Sequence, residues 1–292
     1  MELIPALRGA DERLAIVMPD GRLTWAELTR ACAGHAERLA AAGVSRGDRV
    51  GLWAHPTVGT VAALVGNLVC GVVTVPLNPK LGPREREHIL ADAMPTQVLD
   101  RPEVVLADSL ETFHEVGDQP ALIIYTSGTT GAPKGAVLTV RNIVTCLDGL
   151  ADAWGWSKSD VVVHALPLFH VHGLVLGLLG SLRVGGTMHS IGRFDVDAIA
   201  TALRGDATML FAVPTMYHRI ADAVLDRPEL GAALEQARLL ISGSAALAAR
   251  DARVLAENAG VSVRQRYGLT ETLINCAARF DQPVESGTVG PP

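Results

Sequence analysis

Apolar and polar positions along the chain alternate between a strand-like period of two and a helix-like period near four, and each change of period marks a predicted element. Thr24 and Glu27 form a capping box ahead of the striped run 25–42, and Gly43 supplies its stop. The segment 48–54 (DRVGLWA) then reads as a strand. The next cycle couples an almost wholly apolar helix within 57–70 to the strand 72–77 (VVTVPL). A third couples the polar helix 83–94 to the strand 96–100 (TQVLD).

From Ala121 the alternation restarts. Strands are predicted over 121–124, 161–165, 187–191, 208–213, 237–242 and 261–267, and helices over 140–153, 173–183, 195–204, 214–225 and 246–259. Repeated strand and helix units of this length predict a parallel, doubly wound α/β fold. The stretch 101–119 is acidic and aperiodic, and is the best internal boundary. Two packed α/β subdomains are therefore expected, 1–110 and 120–292.

Composition narrows the function. With 292 residues, 49% of them hydrophobic, the chain can bury a large core. A net charge of −6 and the lack of a dense Lys/Arg stripe argue against nucleic-acid binding. Cys32, Cys70, Cys146 and Cys276 are scattered, without a CxxC pair or a Cys/His cluster, which fits reduced thiols in a cytoplasmic protein. The longest apolar stretch, 58–78, is interrupted by Asn67 and by glycines. A buried helix followed by a strand explains it better than a membrane span. No secretory leader is expected at the N-terminus.

The most informative segment follows the strand at 121–124: Tyr125-Thr126-Ser127-Gly128-Thr129-Thr130-Gly131-Ala132-Pro133-Lys134-Gly135. Glycines let the main chain approach a ligand, hydroxyls and free amides can converge on an anion, and Lys134 adds a point charge. A flexible linker would not hold Pro133 and Lys134 between glycines and two apolar segments. The spacing is not that of a Walker A loop, which requires four residues between its glycines and a Ser or Thr after the Lys.

This segment resembles the phosphate-binding signature of the adenylate-forming superfamily, which contains acyl- and aryl-CoA synthetases, luciferases and the adenylation domains of peptide synthetases. The resemblance implies ATP, with Thr126, Ser127, Gly128, Thr129, Thr130 and Lys134 as its binding residues. It also implies formation of an acyl-adenylate and transfer of the acyl group to a thiol.

Four further segments stand in matching order. Leu166 to Gly173 (LPLFHVHG) follows a strand, where ligands gather in doubly wound sheets. Either His170 or His172 could simply be a structural polar residue. The resemblance favours His170, as a residue of the acyl pocket and thiol gate. In Val213 to Val224, Pro214 suits a first helical turn and Arg219 lies one turn after Thr215. Ser242-Gly243-Ser244-Ala245 links a strand to a helix through small residues that admit a flat ring; the family places Gly243, Ser244 and Ala245 against adenine. In Arg266 to Thr272 (RYGLTET), the resemblance implies that Tyr267 with Gly268 receives adenine, Thr270 the α-phosphate, and Glu271 the Mg²⁺ that accompanies ATP.

Taken together, these segments and Val75 to Lys80 are most similar to malonyl-CoA and methylmalonyl-CoA synthetases. A small dicarboxylate needs a cationic anchor for its distal carboxylate. By this resemblance Arg219, Arg266 and Ser244 supply it, with malonate or methylmalonate and CoA as substrates. Other short-chain or aryl acid-CoA ligases, a carrier-loading adenylation domain, and a binding module without turnover are the alternatives. The ribose-binding Asp, the hinge and the small C-terminal domain with its lysine are not in the sequence. A fragment of a longer synthetase is therefore expected, inactive or weakly active by itself, and its oligomeric state is left open.

Overall fold

The computed structural model describes residues 2–9, 11–108, 117–126, 131–285 and 287–292. The chain divides into two compact units. One holds residues 1–145 with 167–171, and the other 146–166 with 172–292.

The first unit opens with a 3₁₀ turn (Pro5–Gly9) and a hairpin of β1 (Leu14–Met18) and β2 (Gly21–Thr24), closed by Pro19-Asp20. Helix α1 (Trp25–Ala41) carries the expected capping box, with the Glu27 amide donating to Thr24 Oγ1 and the Thr24 amide donating to Glu27. Gly43, at φ +72°, ends it in the left-handed conformation that glycine adopts without strain. Helix α2 (Val58–Val69) is buried all round, so its sequence shows almost no polar face. Its Asn67 Oδ1 accepts from His35 Nε2 at 2.8 Å and its Nδ2 donates to Thr74 Oγ1, which makes a polar residue tolerable there.

The central sheet of this unit comprises β3 (Arg49–Trp53), β4 (Val73–Leu77), β5 (Gln97–Leu99), β6 (Pro120–Thr126) and β7 (Lys134–Thr139), in the order β5-β3-β4-β6-β7. Helix α3 (Pro83–Ala93) lies between β4 and β5 in sequence. The sheet is parallel except at β6/β7, an antiparallel hairpin. Because β6 pairs with β4, residues 120–139 belong to the N-terminal unit, beyond the boundary that the aperiodic stretch 101–119 suggested.

Helix α4 (Val140–Trp154) runs from the first unit into the second. The second unit adds β8 (Val161–His164), α5 (Ser181–Arg183), β9 (Thr187–Ser190), α6 (Val196–Arg204), β10 (Met209–Ala212), α7 (Pro214–Asp226), α8 (Pro228–Leu234), β11 (Leu239–Ser242), α9 (Ala249–Ala259), β12 (Val263–Leu269) and β13 (Leu273–Ala277). Its strands run in the order β13-β12-β11-β10-β8-β9, parallel except for the β12/β13 hairpin.

Alternation along these strands assigns their two faces. Val163, Leu210, Ala212, Leu240 and Val263 join the core that takes in Ile199, Tyr217, Leu234 and Leu255 of α6 to α9. Phe211 points to the opposite side, where Trp154 and Trp156 meet it edge-on, each at 5.4 Å. Asp160, 3% exposed, receives Arg238 Nε at 2.6 Å and Nη2 at 2.7 Å, together with Thr208 Oγ1 and the Ser157 amide. The helix predicted over 173–183 is π-helical over His172–Gly180 and α-helical only in α5. Among the described residues no helix is long and apolar enough to cross a membrane.

Candidate nucleotide and acid site

The Gly-rich loop is the connection of the β6/β7 hairpin. Thr126 pairs with Lys134 and Tyr125 with Gly135, so the ladder brings the loop's first hydroxyl opposite its lysine. Helix α3 supports the hairpin from below. The Tyr125 hydroxyl donates to Asp92 at 2.5 Å, and the His88 ring donates to the Pro133 carbonyl at 2.8 Å. Burial and the Asp92 carboxylate raise the Tyr125 phenol well above its ordinary value, so it stays a donor. Lys134 is exposed and has no acidic partner among the described residues, leaving its charge for an anion. Ser127, Gly128, Thr129 and Thr130 lie outside the described residues.

Phe169 and His170, on the loop before the π segment, belong to the first unit. Their rings touch at 4.5 Å, His170 is exposed, and partial desolvation lowers its pKa. His172 belongs to the second unit and is buried.

In the second unit, β11 ends at Ser242 and the chain turns sharply through Gly243 and Ser244. Ser244 has φ +76°, a left-handed conformation that costs a non-glycine residue about 1–2 kcal/mol. That turn directs its hydroxyl at Arg266, whose Nη2 donates to Ser244 Oγ at 3.4 Å. Gly243 underlies the guanidinium so closely that a Cβ there would lie 2.2 Å from Arg266 Nε and 2.4 Å from Cζ. The loop is held by the Leu247 amide donating to Gln265 at 2.9 Å. Ala245 is exposed.

Arg266 is only 7% exposed, and among the described residues it has no acidic partner; its Nε makes no hydrogen bond. Burial pulls its pKa down to about 10, so it is still charged at neutral pH. A buried, unpaired guanidinium calls for an external anion.

Beyond Arg266, Tyr267 is 50% exposed and offers a ring face to a planar ligand. Gly268 cannot carry a side chain, since a Cβ would meet the Leu273 carbonyl oxygen at 1.9 Å. The turn 270–272 between β12 and β13 carries half-buried Thr270 and exposed Glu271. Among the described residues no three His, Cys, Asp or Glu side chains converge on a metal position. Glu271 is thus a single carboxylate, suited to a hard cation that takes its other ligands from phosphates and water.

Arg219 is exposed on α7, with its guanidinium 4.6 Å above the Phe194 ring. Among the described residues it has neither an acidic partner nor a hydrogen bond to Ser244. The structure therefore brings Gly243, Ser244 and Arg266 together, with Tyr267 next to Arg266 on β12, and stacks Arg219 on Phe194.

Sequence reasoning passed over the β1/β2 and β12/β13 hairpins, although Pro-Asp-Gly at 19–21 is a turn signal for the first. It also left His164 unmarked, a fully buried imidazole on β8 whose pKa burial lowers to about 4. No local pattern identifies that residue, because its surroundings include β9, β10 and the π-helical segment.

Comparison with known proteins gives a consistent picture. Residues 6–116 and 105–292 match the AMP-binding enzyme family. The mitochondrial malonate–CoA ligase of Bos taurus is 32% identical over 326 residues, covering 96% of this chain and 56% of its own length. A solved malonyl-CoA ligase, in a ternary product complex with methylmalonyl-CoA and AMP bound, has a TM-score of 0.92 and 45% identity, covering 98% of this chain and 65% of that one. ATP-bound MatB from Rhodopseudomonas palustris has a TM-score of 0.85 and 30% identity, covering 99% of this chain and 64% of that one. The chain spans less than two thirds of the length of each of these proteins. With its Gly-rich hairpin loop, small-residue turn and Tyr-Gly-Leu-Thr-Glu hairpin, the chain belongs to the AMP-binding enzyme family.

Proposed function

We propose that this chain provides the ATP- and acid-binding part of an AMP-forming acid–CoA ligase that uses a small dicarboxylate, malonate or methylmalonate. The observation that carries the reading is Arg266: a buried guanidinium with no carboxylate partner among the described residues, seated on Gly243 and touched by Ser244. A monocarboxylate substrate would leave such a charge unpaired. The distal carboxylate of a dicarboxylate would pair it, with charge-assisted hydrogen bonds from Arg266 and a further one from the Ser244 hydroxyl.

In this reading the 127–130 loop and Lys134 hold the β- and γ-phosphates, Tyr267 stacks on adenine, and Thr270 donates to the α-phosphate. Gly243, Ala245 and Gly268 leave room for the base. Mg²⁺, held by Glu271 and the phosphates, would neutralise charge on the nucleotide. The proximal carboxylate attacks the α-phosphorus; the new O–P bond forms as the α–β phosphoanhydride bond breaks, and pyrophosphate leaves with the electron pair. The CoA thiol, losing its proton to solvent, then attacks the acyl carbon; the C–S bond forms and AMP departs. The protein's part is alignment of two anions and stabilisation of charge. His170 serves as the gate residue for the thiol, and Arg219 as a second cation for the acid.

The test is acid-dependent exchange of pyrophosphate into ATP with malonate, methylmalonate, acetate and octanoate. Malonate or methylmalonate should support the fastest exchange, and Arg266→Leu should lower their kcat/KM by at least a hundredfold. Exchange with octanoate alone would overturn the reading.

A further inference from the structure

In the first unit, helix α1 and the edge strand β5 border a cavity of about 150 Å³, lined by His35, Arg38, Leu39, Gln97, Leu99 and Pro102. Strand alternation explains one wall. Gln97 and Leu99 share a face, and Leu99 packs there with Leu39, Val44 and Val50. Val98 points to the opposite face, towards Gly51, and is exposed. Pro102 belongs to a segment that lies tightly on two helices. A Cβ on Gly59 of α2 would meet the Pro102 carbonyl oxygen at 1.8 Å, and one on Gly34 of α1 would meet that of Val105 at 2.1 Å. The Ala107 amide donates to the Arg30 carbonyl at 3.1 Å. The cavity is thus bounded by packed elements.

Its polar groups are left unanswered by the protein. Among the described residues, the side chains of Arg38 and Gln97 make neither a hydrogen bond nor an ion pair. Nearby arginines are engaged: Arg46 donates to Gln119 at 3.0 and 2.8 Å, and Arg30 to the Ala107 carbonyl at 3.4 Å. His35 is 2% exposed. Its Cδ2 edge packs on Gly66 and its Nε2 donates to Asn67, so the ring proton sits on Nε2 and Nδ1 is a buried acceptor without a partner. Burial lowers the His35 pKa and the Arg38 charge lowers it further, which keeps the ring neutral. Packing accounts for Leu39, Leu99 and Pro102. It does not account for a guanidinium and a primary amide turned to the same space with no acceptor between them.

We infer that this cavity is a binding site for a short-chain monocarboxylate, built from residues that the nucleotide and acid site does not use: the carboxylate accepts from Arg38 and Gln97, and the alkyl chain lies against Leu39, Leu99 and Pro102. Guanidinium and carboxamide N–H groups are matched to a carboxylate, and the pairing is charge-assisted. The lone pair of His35 Nδ1 repels the anion, which turns the carboxylate towards Arg38 and the chain towards the ring. A cavity of about 150 Å³ holds a benzene-sized ligand, about six non-hydrogen atoms, so butyrate fits and octanoate does not.

The test titrates butyrate, 1-butanol and octanoate into the ¹⁵N-labelled chain and follows the Gln97 side-chain amide resonances, assigned by their loss in Gln97→Leu. Butyrate should shift them saturably, with a Kd on the order of 1 mM for so small a ligand. 1-Butanol, which lacks the charge, and octanoate, which exceeds the space, should not. Arg38→Met keeps the length of the side chain and removes its donors, so it should weaken butyrate about tenfold or more, and Arg38→Lys should recover part of that loss. Arg266→Leu, which alters the acid pocket, should leave the butyrate response of Gln97 unchanged.

If the Gln97 resonances stay still at butyrate concentrations far above that value, the cavity is not a carboxylate site. Equal shifts with butyrate and 1-butanol would leave only an apolar crevice and remove the inference. A butyrate response that survives Arg38→Met but disappears in Arg266→Leu would place the ion in the acid pocket, and the inference would again fall. The titration of the wild type decides the first two outcomes whether or not a variant folds.

Discussion

Replacing Gly243 with Ala adds one methyl group and tests the logic of the acid site. The backbone at Gly243 is not in the left-handed region, so alanine is conformationally allowed there. At an unconstrained site such a change stabilises a protein by about 0.4–1 kcal/mol, because alanine has less freedom to lose on folding. Here the new Cβ would lie 2.2 Å from Arg266 Nε, 2.4 Å from Cζ and 2.8 Å from Nη2. Restoring an ordinary contact of about 3.5 Å displaces the guanidinium by about 1.3 Å, enough to break the 3.4 Å bond to Ser244. Arg266 is nearly enclosed, so the displacement strains its neighbours, and overpacking of this kind costs about 1–3 kcal/mol. A fall in Tm of roughly 2–10 °C follows for a protein of this size.

The functional effect should be larger, since a misplacement of about 1 Å in a positioning group can cost roughly a hundredfold. In pyrophosphate exchange, the ratio of kcat/KM for malonate over that for acetate should fall by about 10- to 100-fold. Thermal melting and exchange kinetics on the same preparations separate the two effects. An unchanged malonate-to-acetate ratio, or a rise in Tm, would refute the argument that Gly243 exists to seat Arg266.

Other outcomes follow from neighbouring features. Ser244→Gly releases the left-handed strain and should raise stability by about 1 kcal/mol, yet weaken malonate binding through loss of the hydroxyl; Ser244→Ala should weaken binding without the gain in stability. Because His164 titrates near 4 when folded and near 6.5 when unfolded, its contribution to stability is complete above about pH 6.5 and is lost as pH falls towards 4. Melting temperature followed from pH 7 to pH 4 should decline over that range, and the decline should be shallower in His164→Gln.

Much of the fold was legible in the sequence because most elements carry their own signals. The Thr24–Glu27 capping box, Gly43 and the amphipathic stripe of α1 are local, and each appears in the structure where the pattern placed it. The Gly-rich loop was legible for a similar reason, since its glycines, hydroxyls and lysine are contiguous. Pairing was less visible. The antiparallel partners β7 and β13 lie directly after loops that were read for their chemistry, and their edge positions come from hydrogen bonds with β6 and β12. The boundary near 101–119 marked a real loss of periodicity, but the unit extends to residue 145 because β6 pairs with β4.

By itself, the sequence determined the alternation of strands and helices, the family, and the residue types of the nucleotide loop, all properties carried by short segments. It also supplied Arg266 as a candidate cation, but not the reason it differs from Arg219, since both are arginines near a motif. Only the tertiary structure decided that Arg266 is buried on Gly243 with no counter-charge among the described residues, while Arg219 is exposed over Phe194. It likewise decided that His172 is buried while its neighbour His170 is exposed. Burial and unpaired charge depend on residues distant in the chain meeting across β8, β10, β11 and β12, and no local pattern encodes that meeting.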